Sequence, residues 1–167
     1  MSESATFHLR PARREDSAVI LALIRELAEY EKLANEVVAT EADIARELFG
    51  AHPHAEAVIA ECAGEAVGFA LFFHNFSTFL GRPGLYLEDL FVKPAWRGRG
   101  CGKLLLAHLA QLALERGCGR LEWAVLDWNT PAIRFYEGLG AKIISEWKIN
   151  RLSGEALRAL AQTARDH

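Results

Sequence analysis

The spacing of apolar positions changes period several times along this chain, and each change marks an element. Thr6–Pro11 alternates and predicts a short first strand, ended by its proline. Val19, Ile20, Leu23, Ile24 and Leu27 then recur at helical spacing. With Asp16 or Ser17 placed to cap it, that helix runs to about Lys32. Thr40 opens a second, shorter helix, and Asp43 stands three residues on, as in a capping box. Ala55–Cys62 and Ala66–Phe73 read as strands joined by Ala63-Gly64-Glu65, a hairpin. Asn75–Gly84 carries Gly81, Pro83 and Gly84 and reads as a loop, and Leu85–Val92 is a further strand.

Beyond a glycine-rich turn, Lys103–Arg116 is a strong helix with Leu105, Leu109 and Leu112 along one face and Gly117 as its stop. Arg120–Leu126 is a strand. Asn129 or Thr130 caps the next helix, Pro131 takes its first position and Gly140 follows its end. Lys142–Asn150 predicts a last strand, and Ser153 caps a C-terminal helix. The order β-α-α-β-β-β-α-β-α-β predicts an α/β fold with a mixed sheet, hairpins first and crossovers later. No linker, repeat or low-complexity tract interrupts it, so residues 1–167 are expected to form one domain.

Composition narrows the function classes. The chain of 167 residues is 51% hydrophobic and 25% charged, which suits a globular core. A net charge of −3 gives no general field for nucleic acid or an anionic membrane surface. A polyanionic ligand would need a local cluster of donors, whereas a cationic substrate meets no overall repulsion. The basic run Arg10–Arg14 reads as an exposed strand–helix connection. Cys62, Cys101 and Cys118 are scattered, which argues against a disulfide framework or zinc site and suits the cytoplasm. The six histidines show no ligand spacing, so no metal is expected. Met1–Arg10 lacks the apolar run of a signal peptide, and no stretch approaches the roughly 20 apolar residues of a membrane span.

The most informative segment is Arg97-Gly98-Arg99-Gly100-Cys101-Gly102-Lys103, between an apolar strand and an amphipathic helix. Glycines let a ligand approach the backbone, free N–H groups open the helix, and three cationic side chains add charge. The turn is therefore a phosphate cradle in character. It is not a P-loop, because Gly102-Lys103 is followed by Leu104. Nor does it fit the dinucleotide fingerprint, which would need glycine at 103 or 105. What fits is Arg-x-x-Gly-x-Gly, formed by Arg97, Gly100 and Gly102.

With Asn129-Thr130-Pro131, Phe135-Tyr136 and Gly140-Ala141 following, this pattern resembles the GNAT superfamily of N-acetyltransferases. Glu26–Glu31, Val67–Ala70, Leu85–Val92 and Phe135-Tyr136 resemble its diamine subfamily, which includes the spermidine/spermine and thialysine acetyltransferases. The likeness spans about Leu9 to Trp147, with Tyr-Leu-Glu-Asp its most specific part. It implies a GNAT-like domain with a mixed, mostly antiparallel central sheet flanked by helices. It implies acetyl-CoA as co-substrate and a homodimer.

The resemblance also implies the site. The backbone of Leu90, Phe91 and Val92 meets the acetyl-pantetheine arm. Arg97, Gly98, Arg99, Gly100, Cys101, Gly102 and Lys103 hold the pyrophosphate. Asn129, Thr130, Pro131 and Ala132 line the far side of the cofactor, and Tyr136 lies near the thioester sulfur. Tyr30, Glu31, Glu88, Asp89, Glu122, Trp123 and Ala124 line the amine site. Polyamine-acetylating members carry an aspartate after the third strand. Ser77 stands at the best match here, which favours a thialysine-type acceptor.

An alkylamine near pKa ~10.4 is protonated at neutral pH and attacks only when neutral, so a base is needed. Glu88 is the candidate base and Tyr136 the candidate acid toward the departing sulfur, in a direct transfer. No histidine stands in the turn to activate Cys101 as a nucleophile. Each assignment has an ordinary alternative. Glu88 and Asp89 are strand neighbours and point to opposite faces unless a bulge intervenes. Tyr136 and Trp123 could be packing aromatics, and Tyr30 and Glu31 a plain helix end. Two other functions share the cofactor features: a protein lysine or N-terminal acetyltransferase, and a non-catalytic CoA-binding module.

Overall fold

Four strands follow one another across the sheet in chain order: β1 (His8–Pro11), β2 (Glu56–Cys62), β3 (Glu65–Ser77) and β4 (Arg82–Val92). Each is antiparallel to the one before. β5 (Leu121–Trp123) then joins β4 in parallel, completing a five-stranded mixed sheet. α1 (Ser17–Tyr30) and α2 (Glu41–Phe49) fill the connection from β1 to β2, and α3 (Cys101–Glu115) links β4 to β5. The computed structural model describes residues 6–165 and divides into two compact units, Met1–Leu126 and Asp127–His167. The second holds α4 (Thr130–Gly138) and α5 (Gly154–Thr163).

The predicted helical face of α1 is the one that packs. Ile20 and Leu23 are fully buried, and with Ile44 and Leu48 of α2 they cover Ala57, Ile59, Phe69, Leu71 and Phe91 of the sheet. Burial of each such side chain contributes roughly 1.5–3 kcal/mol. α3 buries Leu105 and Leu109 completely. Local signals set the ends. The Thr40 hydroxyl accepts from the Asp43 N–H, and the Asp43 carboxylate accepts from the Thr40 N–H, as the capping box predicted. Gly117 and Gly140 take positive φ just past α3 and α4. At the β2–β3 hairpin, Ala63 and Gly64 both have positive φ, the form that matches strand twist.

Asp16 precedes α1 but does not cap it. Its carboxylate is held by the guanidinium of Arg10 at 2.7 and 2.8 Å and by the Arg13 N–H. Arg10 also reaches Glu61 at 2.7 Å, so it is a half-buried tie across β1, β2 and α1, not part of an exposed connection.

Three expected elements differ. The loop placed over Asn75–Gly84 is mostly ladder: β3 continues to Ser77, β4 begins at Arg82, and residues 78–81 turn the chain. The breakers are accommodated there. Gly81 supplies the positive φ, and Gly84 leaves room for the Asn75 side chain. Pro83 uses its carbonyl to accept from the Gly119 N–H. Next, β5 covers only three residues of the expected Arg120–Leu126. Finally, Lys142–Asn150 forms no strand. Ile143, Ile144, Trp147 and Ile149 are β-formers, but a strand also needs a neighbouring backbone, and the described residues supply none to it. Ile143, Ile144, Trp147 and Ile149 are exposed.

Candidate active site

The pairing of β3 with β4 decides where the carboxylates go. Phe72 stands opposite Leu87 and Leu71 opposite Asp89, so Glu88 is an extra residue with no partner across the ladder. A bulge of this kind reverses the alternation beyond it. Before it, Tyr86 opposes Phe73; after it, Asp89 opposes Leu71. Phe73 and Leu71 lie two apart on β3 and so share a face, the one covered by α1 and α2. Tyr86, Glu88 and Asp89 therefore all lie on that face. The condition under which both acids could serve one site is met.

These groups act on one another. Burial pushes the Asp89 carboxyl from its ordinary 3.8 up to about 6, and the charges of Glu88 and Glu31 push the same way. Burial also raises the Glu31 carboxyl. The Tyr86 phenol is raised by burial and then by Glu88 and Glu122. Glu122 stands opposite Tyr86 in the β4–β5 register, and the Tyr86 ring packs on Phe73 with centroids 5.2 Å apart. Repelled carboxylates on a face bearing two aromatic rings form a place for a cation.

The end of β4 is open on its other side. β5 pairs only with Leu85–Leu87, so Glu88–Val92 have no strand partner on that side among the described residues. An extended ligand can use the backbone there. Arg97 turns back onto this strand. Its Nε donates to the Val92 carbonyl at 2.9 Å, and its guanidinium lies 4.8 Å from the Tyr30 ring centre and 5.3 Å from that of Phe91. Tyr30, at the end of α1, is thus tied to the start of the glycine turn. Arg99 stacks on Trp96, which also packs on Phe7, so Trp96 is a packing residue.

In the turn, Gly98 and Gly100 have φ of 73° and 91°, and a Cβ at either would meet open space. Helix α3 begins at Cys101, two residues earlier than expected, so Cys101, Gly102 and Lys103 form its first turn. The N–H groups of a first helical turn have no intrahelical acceptor. Cys101 is 1% exposed, and burial pushes its thiol up to about 11, so it is no thiolate at neutral pH.

Within the first unit, not every expected residue gathers here. Trp123 stands opposite Leu87, on the sheet face away from Tyr86 and Glu122, and Ala124 lies past the end of β5. Ser77 is buried, and its hydroxyl accepts from the Leu80 N–H of the turn at 3.2 Å. In the second unit, the Asn129 side chain caps α4 by accepting from the Ala132 N–H. Thr130 takes the first helical position and Pro131 the second. Tyr136 is half-buried on α4, its ring 5.5 Å from that of Phe135. Tyr86 was missed in the sequence. Its alternation with Glu88 was visible, but its value depends on the neighbour across β5.

A glycine turn with open space at a helix start, an open strand end and an acidic face on a mixed sheet agree with an acyltransferase, and the family match makes the chain one. The sequence profile of the Acetyltransferase (GNAT) family matches residues 21–141, crossing both units, and the chain belongs to that family. It is 42% identical over 164 residues to a thialysine N-epsilon-acetyltransferase of Bos taurus, covering 92% of this chain and 96% of the relative. It is 50% identical over 93 residues to the L-ornithine N5-acetyltransferase NATA1 of Arabidopsis thaliana, covering 56% of this chain and 41% of that one. Among solved structures, an integron cassette protein from the mobile metagenome of V. cholerae superposes with a TM-score of 0.79 at 28% identity. That match covers 96% of this chain and 99% of the other.

Proposed function

We propose that this chain moves the acetyl group of acetyl-CoA directly to a primary amine of a small cationic molecule: thialysine, a lysine-like amino acid or a diamine. The observation that carries the reading is the bulge at Glu88, which sets two carboxylates on one face beside the open end of β4. The names of the relatives support it, since theirs are acetyl transfers to side-chain amines of amino acids.

Acetyl-CoA supplies an activated acetyl thioester. The open spaces at Gly98 and Gly100 and the first-turn N–H groups of Cys101, Gly102 and Lys103 suit its pyrophosphate. Arg99 and Lys103 add charge, and the backbone of Leu90, Phe91 and Val92 suits its extended arm. Glu88 and Asp89 hold the incoming ammonium. One of them takes its proton, directly or through water, and Asp89, at about 6, is suited to proton transfer near neutral pH. A backbone N–H near Phe91 faces the developing oxyanion. Tyr136 gives a proton to the departing sulfur, and Asn129–Ala132 line the cofactor. Tyr30, Glu31 and Glu122 complete the amine site, with Trp123 and Ala124 behind it.

The protein acts as a homodimer in the cytoplasm. Three free, buried cysteines suit a reducing compartment, and no helix among the described residues is long and apolar enough to cross a membrane. A sedimentation mass of one chain at micromolar concentration would contradict the dimer. The function is tested by following free-thiol release from acetyl-CoA with thialysine, lysine, putrescine, spermidine and a lysine-containing peptide. Release with thialysine or a diamine, and none with peptide, is expected. Release with peptide alone would make the protein a protein acetyltransferase, and no release at all would leave a CoA-binding module.

A further inference from the structure

One charge pair lies beside the acidic face, and its cation has no part in the chemistry above. Arg120 precedes β5, and its Nε lies 3.3 Å from the Glu122 carboxylate. The two are two residues apart on an extended backbone, which puts both side chains on one face. That face is the one holding Tyr86, because Glu122 and Tyr86 are register partners. The Tyr86 ring lies against Phe73, so the pair borders an aromatic surface. Glu88 is two residues beyond Tyr86, about 6.6 Å at the rise of a strand. Three groups of different character therefore follow one another: paired carboxylates at Glu88 and Asp89, an aromatic stretch, and an adjacent cation and anion.

We infer that Arg120 and Glu122 bind the zwitterionic end of the acceptor, Arg120 its α-carboxylate and Glu122 its α-ammonium, making amino acids with a side-chain amine the preferred substrates. The inference rests on the small-amine reading and narrows it. The dimensions agree: an extended lysine-type side chain places its amine about 6 Å from its α-carbon, at bond lengths near 1.5 Å. With the reacting amine at Glu88 and Asp89, the chain lies along Tyr86 and its α-carbon reaches Glu122. The charges agree as well. A diamine presents a second ammonium, which Glu122 welcomes and Arg120 repels. An amino acid presents both signs, and a guanidinium holds a carboxylate through two parallel hydrogen bonds. Ser77 fits this picture, since its hydroxyl serves the hairpin turn and supplies no anchor for a longer polycation.

The ordinary alternative is an exposed ion pair of little consequence, since Arg120 and Glu122 side chains are 48% and 39% exposed. Matched acceptors separate the two. Thialysine and bis(2-aminoethyl) sulfide differ only by the α-carboxylate. In the Arg120→Gln variant the ratio of kcat/KM for thialysine over the sulfide diamine should fall about tenfold, or about 1.4 kcal/mol. Arg120→Lys should restore part of it, and Glu122→Gln should slow both acceptors. A ratio unchanged in Arg120→Gln, whether both rates fall together or neither moves, would overturn the assignment while leaving small-amine transfer intact. A wild-type protein that acetylates neither compound would instead refute the small-amine reading, and this assignment with it.

Discussion

Asp89 should be a destabilising residue for the fold, and replacing it by asparagine should stabilise the protein while disabling it. Its carboxyl is raised from 3.8 to about 6, so the folded state binds the proton more tightly than the unfolded chain does. Between about pH 4 and 6 the unfolded chain has released a proton that the folded protein still holds. Stability therefore falls as pH rises through that window, and the loss is complete above about 6. A carboxyl held at about 6 in place of 3.8 corresponds to about 3 kcal/mol, an upper figure because neighbouring carboxylates can relax. Asp89→Asn keeps the shape and removes the charge. Thermal melts at pH 8 should show the variant higher by roughly 5–10 °C, using 2–4 °C per kcal/mol for a chain of this size. At pH 4 the two proteins should melt together, because Asp89 is then largely neutral. Turnover with a small amine should drop by at least about a hundredfold, as for loss of a general base. A variant no more stable than wild type at pH 8, or a gain that persists unchanged at pH 4, would refute the account of a buried carboxylate held against like charge.

The same carboxyl predicts a pH profile: in wild type kcat/KM should fall as pH drops through about 6, and Glu88→Gln should lower the rate without abolishing that titration. Tyr136→Phe should cut kcat by about a hundredfold or more and leave acetyl-CoA affinity intact by calorimetry, and an unchanged kcat would remove Tyr136 from the mechanism. Gly100→Ala places a Cβ at φ 91° with no contact to relieve it, so urea melts should show a loss of about 1–2 kcal/mol, accompanied by weaker acetyl-CoA binding. Thr40→Ala removes the capping-box acceptor of α2 and should cost about 1 kcal/mol in the same melts with no change in rate.

What the sequence disclosed follows from the range of each signal. Helix α1 was legible because its apolar face and its flanking residues are local, and the glycine turn because its chemistry is contiguous. Errors came where the deciding partner lies elsewhere in the chain. Gly84 looks like a breaker until Asn75 is beside it. Lys142–Asn150 is rich in β-formers, yet composition alone does not create a ladder. Arg10 looks like part of a solvated basic run until Glu61, fifty-one residues away, comes within 2.7 Å. The candidate site divides in the same way. Residue types at Glu88 and Asp89 were evident, but strand alternation assigns them to opposite faces. Only the pairing of Phe72 with Leu87 and Leu71 with Asp89 reveals the extra residue that brings them together. Tyr86 and Arg120 were harder still, since each gains meaning only from Glu122 on a strand three residues long. Adjacent carboxylates share a strand face only where the ladder is irregular, so the bulge that the sequence hides is also what sets Glu88 and Asp89 side by side.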